Sequence, residues 1–374
     1  MEGIIKMKSS LSCIITTCGT SIMTNAVSGE DKTLVYKHAN VINKKELDKN
    51  VRKRLESIIS KADEMIKTAT ISDARKMSAE LNALLAFYDE KPPRRNDVHI
   101  LIGTSTLLGE TTVKFLEDWL KNFDKNLIII PHIQEGLQTA DFLSFHDALL
   151  NIAKFLEKHL PEYKKSGYRI VFNPTGGFKA VLSFLQSIAP LYADESIYLF
   201  ETSKELLRIP ALPMVLDDAS VRENLTALRR LKLGLSVKNQ ELDTIPDSLL
   251  FRLDQDVTLS AWGESFVSRC LDSLYRQALQ PEPSEKIRFS KKFHEDVKLL
   301  APDRLYQINR QIDRLACFLE KGENPKALFF KKLVGDPSPP ATHEFYAWSD
   351  QDAKRIFGRF QRDTFEILFL KKHL

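Results

Sequence analysis

The chain has 374 residues, room for two or three domains, and its 43% hydrophobic and 28% charged residues are those of an ordinary globular protein. No apolar run approaches the roughly 18 residues needed to cross a bilayer, the first ten residues carry no signal-peptide pattern, and Cys13, Cys18, Cys270 and Cys317 form no CxxC pair. Membrane insertion, a disulfide framework and a zinc site are therefore not expected, and a cytoplasmic location is. The net charge of +4 is unevenly spread. Residues 284–374 hold 18 Lys and Arg against 13 Asp and Glu, the excess that a polyanion-binding module or a solvated basic surface would show.

In chain order, Leu11–Thr17 reads as a buried strand that ends in a small, hydroxyl-rich turn, Cys18–Asn25. Leu47, Val51, Leu55, Ile58, Ala62 and Met65 keep one face of Lys44–Thr68 apolar, which predicts a helix. Ser72–Tyr88 is predicted as a second helix, capped by Ser72 or Asp73 and ended by Lys91-Pro92-Pro93. Val98–Ile102 is a strand, followed by Gly103-Thr104-Ser105 and a helix through Leu120. Leu127–Ile130 is the next strand, Gln134–Thr139 a loop, and Ala140–Leu160 a helix. Tyr168–Phe172 is rich in β-formers, and Val181–Ala189 has helical spacing. Ser196–Phe200 is a further strand, with Leu206–Ile209 and Met214–Leu216 as edge strands.

Between Phe172 and Val181 stands Asn173-Pro174-Thr175-Gly176-Gly177-Phe178-Lys179-Ala180. A strand, a two-glycine turn and a helix N-terminus together favour an anion, because backbone N–H groups point outward and the helix dipole is positive there. Lys179 adds a cation and Thr175 a hydroxyl. The spacing is neither the Walker pattern nor the dinucleotide fingerprint, and a tight turn without a ligand is the plain alternative. Alternating strands and helices imply a mainly parallel sheet. Three of its strands end in Gly/Thr/Ser turns, Gly19–Ser21, Gly103–Ser105 and Thr175–Gly177, at the edge where such sheets bind ligands.

Asp218–Gly234 and Leu259–Gln277 are predicted helices and Leu235–Thr258 is irregular, a helical or winged-helix connector ending at Pro281-Glu282-Pro283. Beyond it Lys286–Phe289 is a strand, and Lys291–Leu300 and Asp303–Lys321 are helices, with Gly322 as C-cap. Leu328–Leu333, His343–Trp348, Lys354–Gln361 and Thr364–Leu370 are strands, an α+β order. The expected domains are 1–216, 217–283 and 284–374.

Residues 1–216 resemble a CRISPR-associated Rossmann-fold (CARF) domain. The matching pieces are Gly19-Thr20-Ser21-Ile22-Met23-Thr24-Asn25, Ser78-Ala79-Glu80-Leu81-Asn82, Gly136-Leu137-Gln138 and Asn173–Lys179. The resemblance implies a homodimer that binds one cyclic oligoadenylate, cyclic tetra-adenylate before cyclic hexa-adenylate, as its allosteric activator, with no further cofactor. Thr20, Ser21, Thr104, Ser105, Gln138, Asn173, Thr175, Gly176, Gly177 and Lys179 are the expected ligand contacts. Some relatives also cleave the ligand slowly, a role that would fall to Lys179 and Ser21.

Residues 284–374 look like the RelE/HigB family of mRNA endonucleases, through Phe329–Gly335, His343-Glu344-Phe345, Arg355-Ile356-Phe357 and Ile367–His373. The family commonly has Glu-Leu-Arg in its middle strand, and this chain lacks that arginine. The fold class expected is thus an α/β Rossmann-like parallel sheet, a helical connector and a small α+β RelE-like domain. The implied chemistry is metal-independent cleavage of mRNA, on the ribosome, in which the 2′-OH attacks its own 3′-phosphate. Arg355 and Arg359, four apart on one strand face, are expected at the phosphate. Lys371, Lys372 and Lys332 are expected to orient it or move protons, with His343 and His373 as acid–base candidates. Phe345, Phe357, Phe365 and Phe369 read as core, and Tyr346 and Trp348 as buried, with base stacking the alternative.

Two rivals stay open. Arg288-Phe289-Ser290-Lys291-Lys292-Phe293-His294 has the spacing of a HEPN ribonuclease, which would be all-helical. A ligand-responsive transcription regulator would use a winged helix in Asp218–Gln277.

Overall fold

The first sheet is assembled from strands that are buried on both faces at its centre. The computed structural model describes residues 11–91, 96–137, 141–177, 179–199, 205–212, 216–254, 256–335 and 338–372. Every residue of β1 (Ser12–Thr17) and β2 (Val98–Thr104) is buried, as expected of parallel strands covered by helices on both sides. With β3 (Ile128–Gln134), β4 (Arg169–Asn173), β5 (Glu195–Tyr198) and β6 (Leu207–Pro210) they form a sheet of order 3-2-1-4-5-6, parallel except for β6. This is a doubly wound, Rossmann-like order, and it reverses at β1, whose neighbours are β2 and β4.

The helices of this unit are α1 (Ser21–Ala26), α2 (Gly29–Lys37), α3 (Lys49–Lys67), α4 (Ile71–Met77), α5 (Ala79–Phe87), α6 (Leu107–Phe123), α7 (Phe142–Lys165) and α8 (Lys179–Tyr192). The expected turn after β1 contains α1, and α2 was not foreseen. The single helix expected over Ser72–Tyr88 is two. Ser78 ends α4 and caps α5, its hydroxyl accepting from the Leu81 N–H at 3.1 Å. The cap of α4 is Thr70 rather than Ser72 or Asp73, with the Asp73 N–H bonded to the Thr70 hydroxyl. The edge strand expected at Met214–Leu216 falls mostly outside the described residues.

By compactness the chain divides at 215/216 into two units. In the second, the connector comprises α9 (Ala219–Glu223), α10 (Leu225–Lys232), α11 (Asn239–Leu242), a hairpin of β7 (Leu250–Leu253) and β8 (Asp256–Leu259), and α12 (Ala261–Gln277). The supposedly irregular stretch therefore holds a helical turn and a hairpin. The remainder is β9 (Ile287–Phe289), α13 (Lys291–Val297), α14 (Pro302–Lys321), β10 (Lys331–Lys332), β11 (His343–Trp348), β12 (Lys354–Gln361) and β13 (Thr364–Lys372), in the sheet order 10-11-12-13-9. Gly322 closes α14 in the left-handed conformation at φ 82°. The strand expected from Leu328 starts only at Lys331.

Connector and C-terminal region share a buried polar network. Arg229 Nε donates to Asp313 at 2.5 Å, the Tyr275 hydroxyl donates to the other Asp313 oxygen at 2.7 Å, and Arg229 Nη1 reaches the Pro281 carbonyl at 2.6 Å. Removing either charge alone strands the other in the core, at a cost of about 3–5 kcal/mol. The remaining cations of α10 and its flank are also committed: Arg222 to Asp218, Arg230 to Glu320 and Lys232 to Glu264. That leaves little positive charge for the DNA backbone contacts a winged-helix regulator needs. Among the described residues no helix is long and apolar enough to cross a membrane.

His99 gives the first unit a pH dependence. It is 0% exposed on β2, its Nε2 lies 3.0 Å from the Tyr88 hydroxyl, and burial pushes its pKa from 6.5 down to about 4. The unfolded chain therefore binds a proton that the folded chain refuses. Stability is full above pH 6.5 and falls as pH drops toward 4, by about 2 kcal/mol at pH 5 and about 3 kcal/mol at pH 4. Urea unfolding of the wild type and of His99→Gln at pH 7.5 and 5 should show the smaller loss in the variant. Equal losses would refute the assignment.

Candidate functional site

The turns after β1, β2 and β4 surround a cavity of about 1090 Å³ at the carboxyl edge of the sheet. Thr20, Ser21, Thr104, Thr175, Gly176 and Gly177 line it, so six of the ten expected contacts come together. The turns after β1 and β4 touch. A Cβ on Gly19 would lie 2.5 Å from the Gly177 nitrogen, and one on Gly176 would lie 2.0 Å from Glu80 Oε1. Only glycine permits that approach. The Thr17 hydroxyl then donates to the Gly176 carbonyl at 2.5 Å.

Glu80, at the start of α5, is the hub. It is 0% exposed. Its Oε1 accepts from the Gly19 N–H at 2.7 Å, and its Oε2 accepts from the hydroxyls of Ser21 at 2.6 Å and Ser78 at 2.7 Å. Its backbone carbonyl accepts from Asn173 Nδ2 at 3.2 Å. Two expectations change accordingly. The Ser21 hydroxyl is spent on an internal carboxylate. Asn173 is fully buried and braces the turn, its Oδ1 accepting from the Thr175 hydroxyl at 2.5 Å. Burial first, and then the Glu80 charge, push the Cys18 thiol well above its usual pKa, so it stays protonated.

Among the remaining candidates, Thr104 is buried against Thr106, with 2.7 Å between their hydroxyls. The Ser105 N–H bonds the Gln134 carbonyl at 3.1 Å, away from the cavity lining. Lys179 opens α8, is exposed, and forms no ion pair among the described residues. Gln138 lies outside the described residues. The cavity adds groups that sequence reasoning missed: Lys32, Lys76 and Tyr36, the last 60% exposed. Lys32 and Tyr36 sit on the unforeseen α2. Neither lysine is paired with a carboxylate among the described residues. Cations, hydroxyls and an open aromatic ring suit a nucleotide.

In the second unit, strand alternation sorts the catalytic candidates onto two faces of one sheet. Phe345, Ile356, Phe365 and Ile367 face α14 and pack with Ile308, Ile312 and Leu315. Tyr346, Arg355 and Lys371 pair across β11, β12 and β13 in one row on the opposite face. Arg355 is only 6% exposed, and its Nε and Nη1 meet no hydrogen-bond acceptor among the described residues. Its guanidinium carbon lies 3.7 Å from the centre of the Tyr346 ring. Burial lowers its pKa from the ordinary arginine value, opposed by Tyr346 and Glu344. Lys371, beside it, is exposed.

His343 belongs to the other face. It shares the parity of Phe345, its ring stacks on Phe330 at 5.2 Å, and its Nδ1 lies 2.9 Å from the Thr342 hydroxyl. Burial, then Lys332, lower its pKa. Lys332 pairs with His343 in the register and is likewise turned away from Arg355. The expected grouping of His343 and Lys332 with Arg355 is therefore not met, because residues one apart on a strand point oppositely. Arg359 shares the face of Arg355, but Glu366 neutralises it at 2.9 Å. Lys372 pairs with Asp352 at 3.5 Å. His373 lies outside the described residues. Of the HEPN-like pair, Arg288 Nη1 bonds its own strand's Ile287 carbonyl at 2.9 Å, and His294 is exposed on α13 in an α+β unit, not a helical one.

Fold and cavity define an α/β protein with a Rossmann-like strand order and a polar, cation-bearing cavity at the strand-order reversal. Residues 75–212, which include β2 to β6 and the α5 and β4 turns, match the model of a family described as CRISPR-associated protein (Cas_APE2256), and this supports a CRISPR association for the chain. No curated protein matches the chain.

The Glu80 hub makes a stability prediction. Glu80→Ala leaves the Gly19 N–H and the Ser21 and Ser78 hydroxyls without their acceptor, which should cost about 2–4 kcal/mol. Glu80→Gln should cost about 1 kcal/mol, because both serine hydroxyls can turn to accept from the amide. Thermal unfolding checks this, and an alanine variant as stable as wild type would refute the hub.

Proposed function

We propose that the chain is a cytoplasmic, homodimeric endoribonuclease of CRISPR defence, switched on by a cyclic oligoadenylate, with cyclic tetra-adenylate the first candidate. The first unit is the sensor. Its cavity offers Thr20 and the Gly176-Gly177 turn to phosphate and ribose, with Lys32 and Lys76 as cations and Tyr36 as a stacking ring, while Lys179 stands outside the lining at the start of α8. The second unit is the effector and cuts mRNA, in the manner of the RelE family, on the ribosome.

The observation that carries this reading is Arg355. A buried guanidinium with unsatisfied N–H groups is costly unless an anion completes it. A phosphate held by Arg355 and Lys371 would supply that anion. In the reaction the 2′-oxygen forms a bond to phosphorus and the bond to the 5′-oxygen breaks. The 2′-proton passes to a base and another proton goes to the leaving oxygen, giving a 2′,3′-cyclic phosphate and a 5′-OH. Arg355 is suited to the negative charge that builds up on the pentavalent phosphorane.

Activation requires the ligand to bind the cutting-competent state more tightly than the resting one. Purified full-length protein is therefore to be incubated with labelled RNA or translating ribosomes, with and without cyclic tri-, tetra- or hexa-adenylate. Ligand-dependent cleavage with 5′-OH ends is the expected result. Arg355→Met should lower its rate by about 10²–10³ without lowering the melting temperature, because it removes an unsatisfied buried cation. His343→Gln, on the other face, should leave the rate within about threefold of wild type. No cleavage in any combination would overturn the reading.

A further inference from the structure

Phe329 breaks two rules at once. It holds a left-handed backbone, φ 52°, which a bulky side chain seldom adopts, and its ring is 44% exposed. The surroundings enforce both. The N–H groups of Leu328 and Phe329 converge on the Pro325 carbonyl at 2.8 and 3.1 Å. Asn324 brackets Phe330, donating to its carbonyl at 2.9 Å and accepting from its N–H at 3.2 Å. The Tyr346 N–H holds the Leu328 carbonyl at 3.0 Å. Leu328 and Phe330 both pack into the core, so the ring between them is turned outward.

Outward here means onto the Arg355 face. The Phe329 ring stacks on Tyr346, centres 5.0 Å apart and planes 20° from parallel, and Tyr346 in turn lies against the Arg355 guanidinium. Lys331 Nζ stands 5.3 Å from the Phe329 ring centre. The result is a ladder of flat groups that runs from a half-exposed aromatic ring to a buried cation whose Nε and Nη1 meet no acceptor among the described residues. A flat apolar face beside an anion-seeking arginine matches one ligand chemistry, a base joined to a phosphate.

We infer that Phe329 is the stacking platform for a nucleobase of single-stranded nucleic acid, held so that the adjoining phosphate meets Arg355 and Lys371. This rests on the ribonuclease reading and adds to it a substrate form. A base must leave a duplex to lie on a side-chain ring, so the site takes unpaired strands, and stacking alone accepts any base.

The test uses the full-length protein, with and without cyclic tetra-adenylate, and a fluorescein-labelled 2′-O-methyl hexanucleotide, which has no free 2′-OH and cannot be cut. Phe329→Ala should weaken single-strand binding by about tenfold to a hundredfold, whereas Phe329→Trp should stay within about threefold of wild type. Phe329→Gly should bind as poorly as the alanine variant yet melt no lower than it, because glycine adopts the left-handed backbone without penalty. Binding to the same sequence as a duplex should be equal in all four proteins. Wild-type affinity in the alanine and glycine variants would overturn the platform and leave the ribonuclease reading intact. Phe329-dependent binding by a protein that cuts no RNA would uphold the platform and sink the ribonuclease. A wild type that binds no single strand would end the platform and leave the ribonuclease reading to the cleavage assay.

Discussion

The N-terminal unit turns on a carboxylate that never sees solvent. Glu80 gathers one backbone N–H and two hydroxyls, from the β1 turn and from the break between α4 and α5, while its own carbonyl holds the residue that braces the β4 turn. Three segments distant in sequence are thereby fixed at one point of the sheet edge. The consequence for binding is electrostatic. Part of the donor set that a glycine-rich turn would offer to phosphate is already filled by the chain's own negative charge. The donors still free at this edge are the neighbouring Lys32 and Lys76 and the second glycine turn.

The C-terminal unit applies a simpler constraint, the two-residue period of a strand. One face of the sheet is apolar and closes over α14. The other carries Arg355, Tyr346 and Lys371 in a single row. The same face also carries a small apolar cluster of Ala341, Phe357 and Leu368, so Arg355 is buried beside apolar neighbours, with its Nε and Nη1 unmet among the described residues. That division separates His343 from Arg355, although both come from adjacent strands.

Much of this was legible in the sequence. β12 spans the same residues, Lys354–Gln361, that its pattern of apolar and polar residues predicted, and the parallel sheet followed from alternating strands and helices. The glycine turns were visible because glycine beside Thr and Ser directly after a β-rich run punctuates a strand. Glu80 stood in the Ser78–Asn82 piece of the resemblance, but its role as a hub was not legible because hydrogen-bonding hubs leave no periodic trace; a lone acid in the apolar run Ala79–Phe87 was a further clue. The helix α2 escaped because its residues are mostly polar and bury only Val35. Phe329 gave no warning, since a left-handed aromatic depends on hydrogen bonds made by its neighbours. Arg355 and His343 were grouped by chemistry, and only the register between strands could part them.

The Arg229–Asp313–Tyr275 network bears on how such a chain is put together over evolutionary time. A module that begins at residue 284 would carry Asp313 in its core without the arginine that neutralises it. Its helix α14 would also lose the α12 surface it packs on. The piece that can be cut out or inherited as an intact body is therefore residues 216–374. The connector belongs to the interior of the C-terminal unit, held there by the buried Arg229–Asp313 pair.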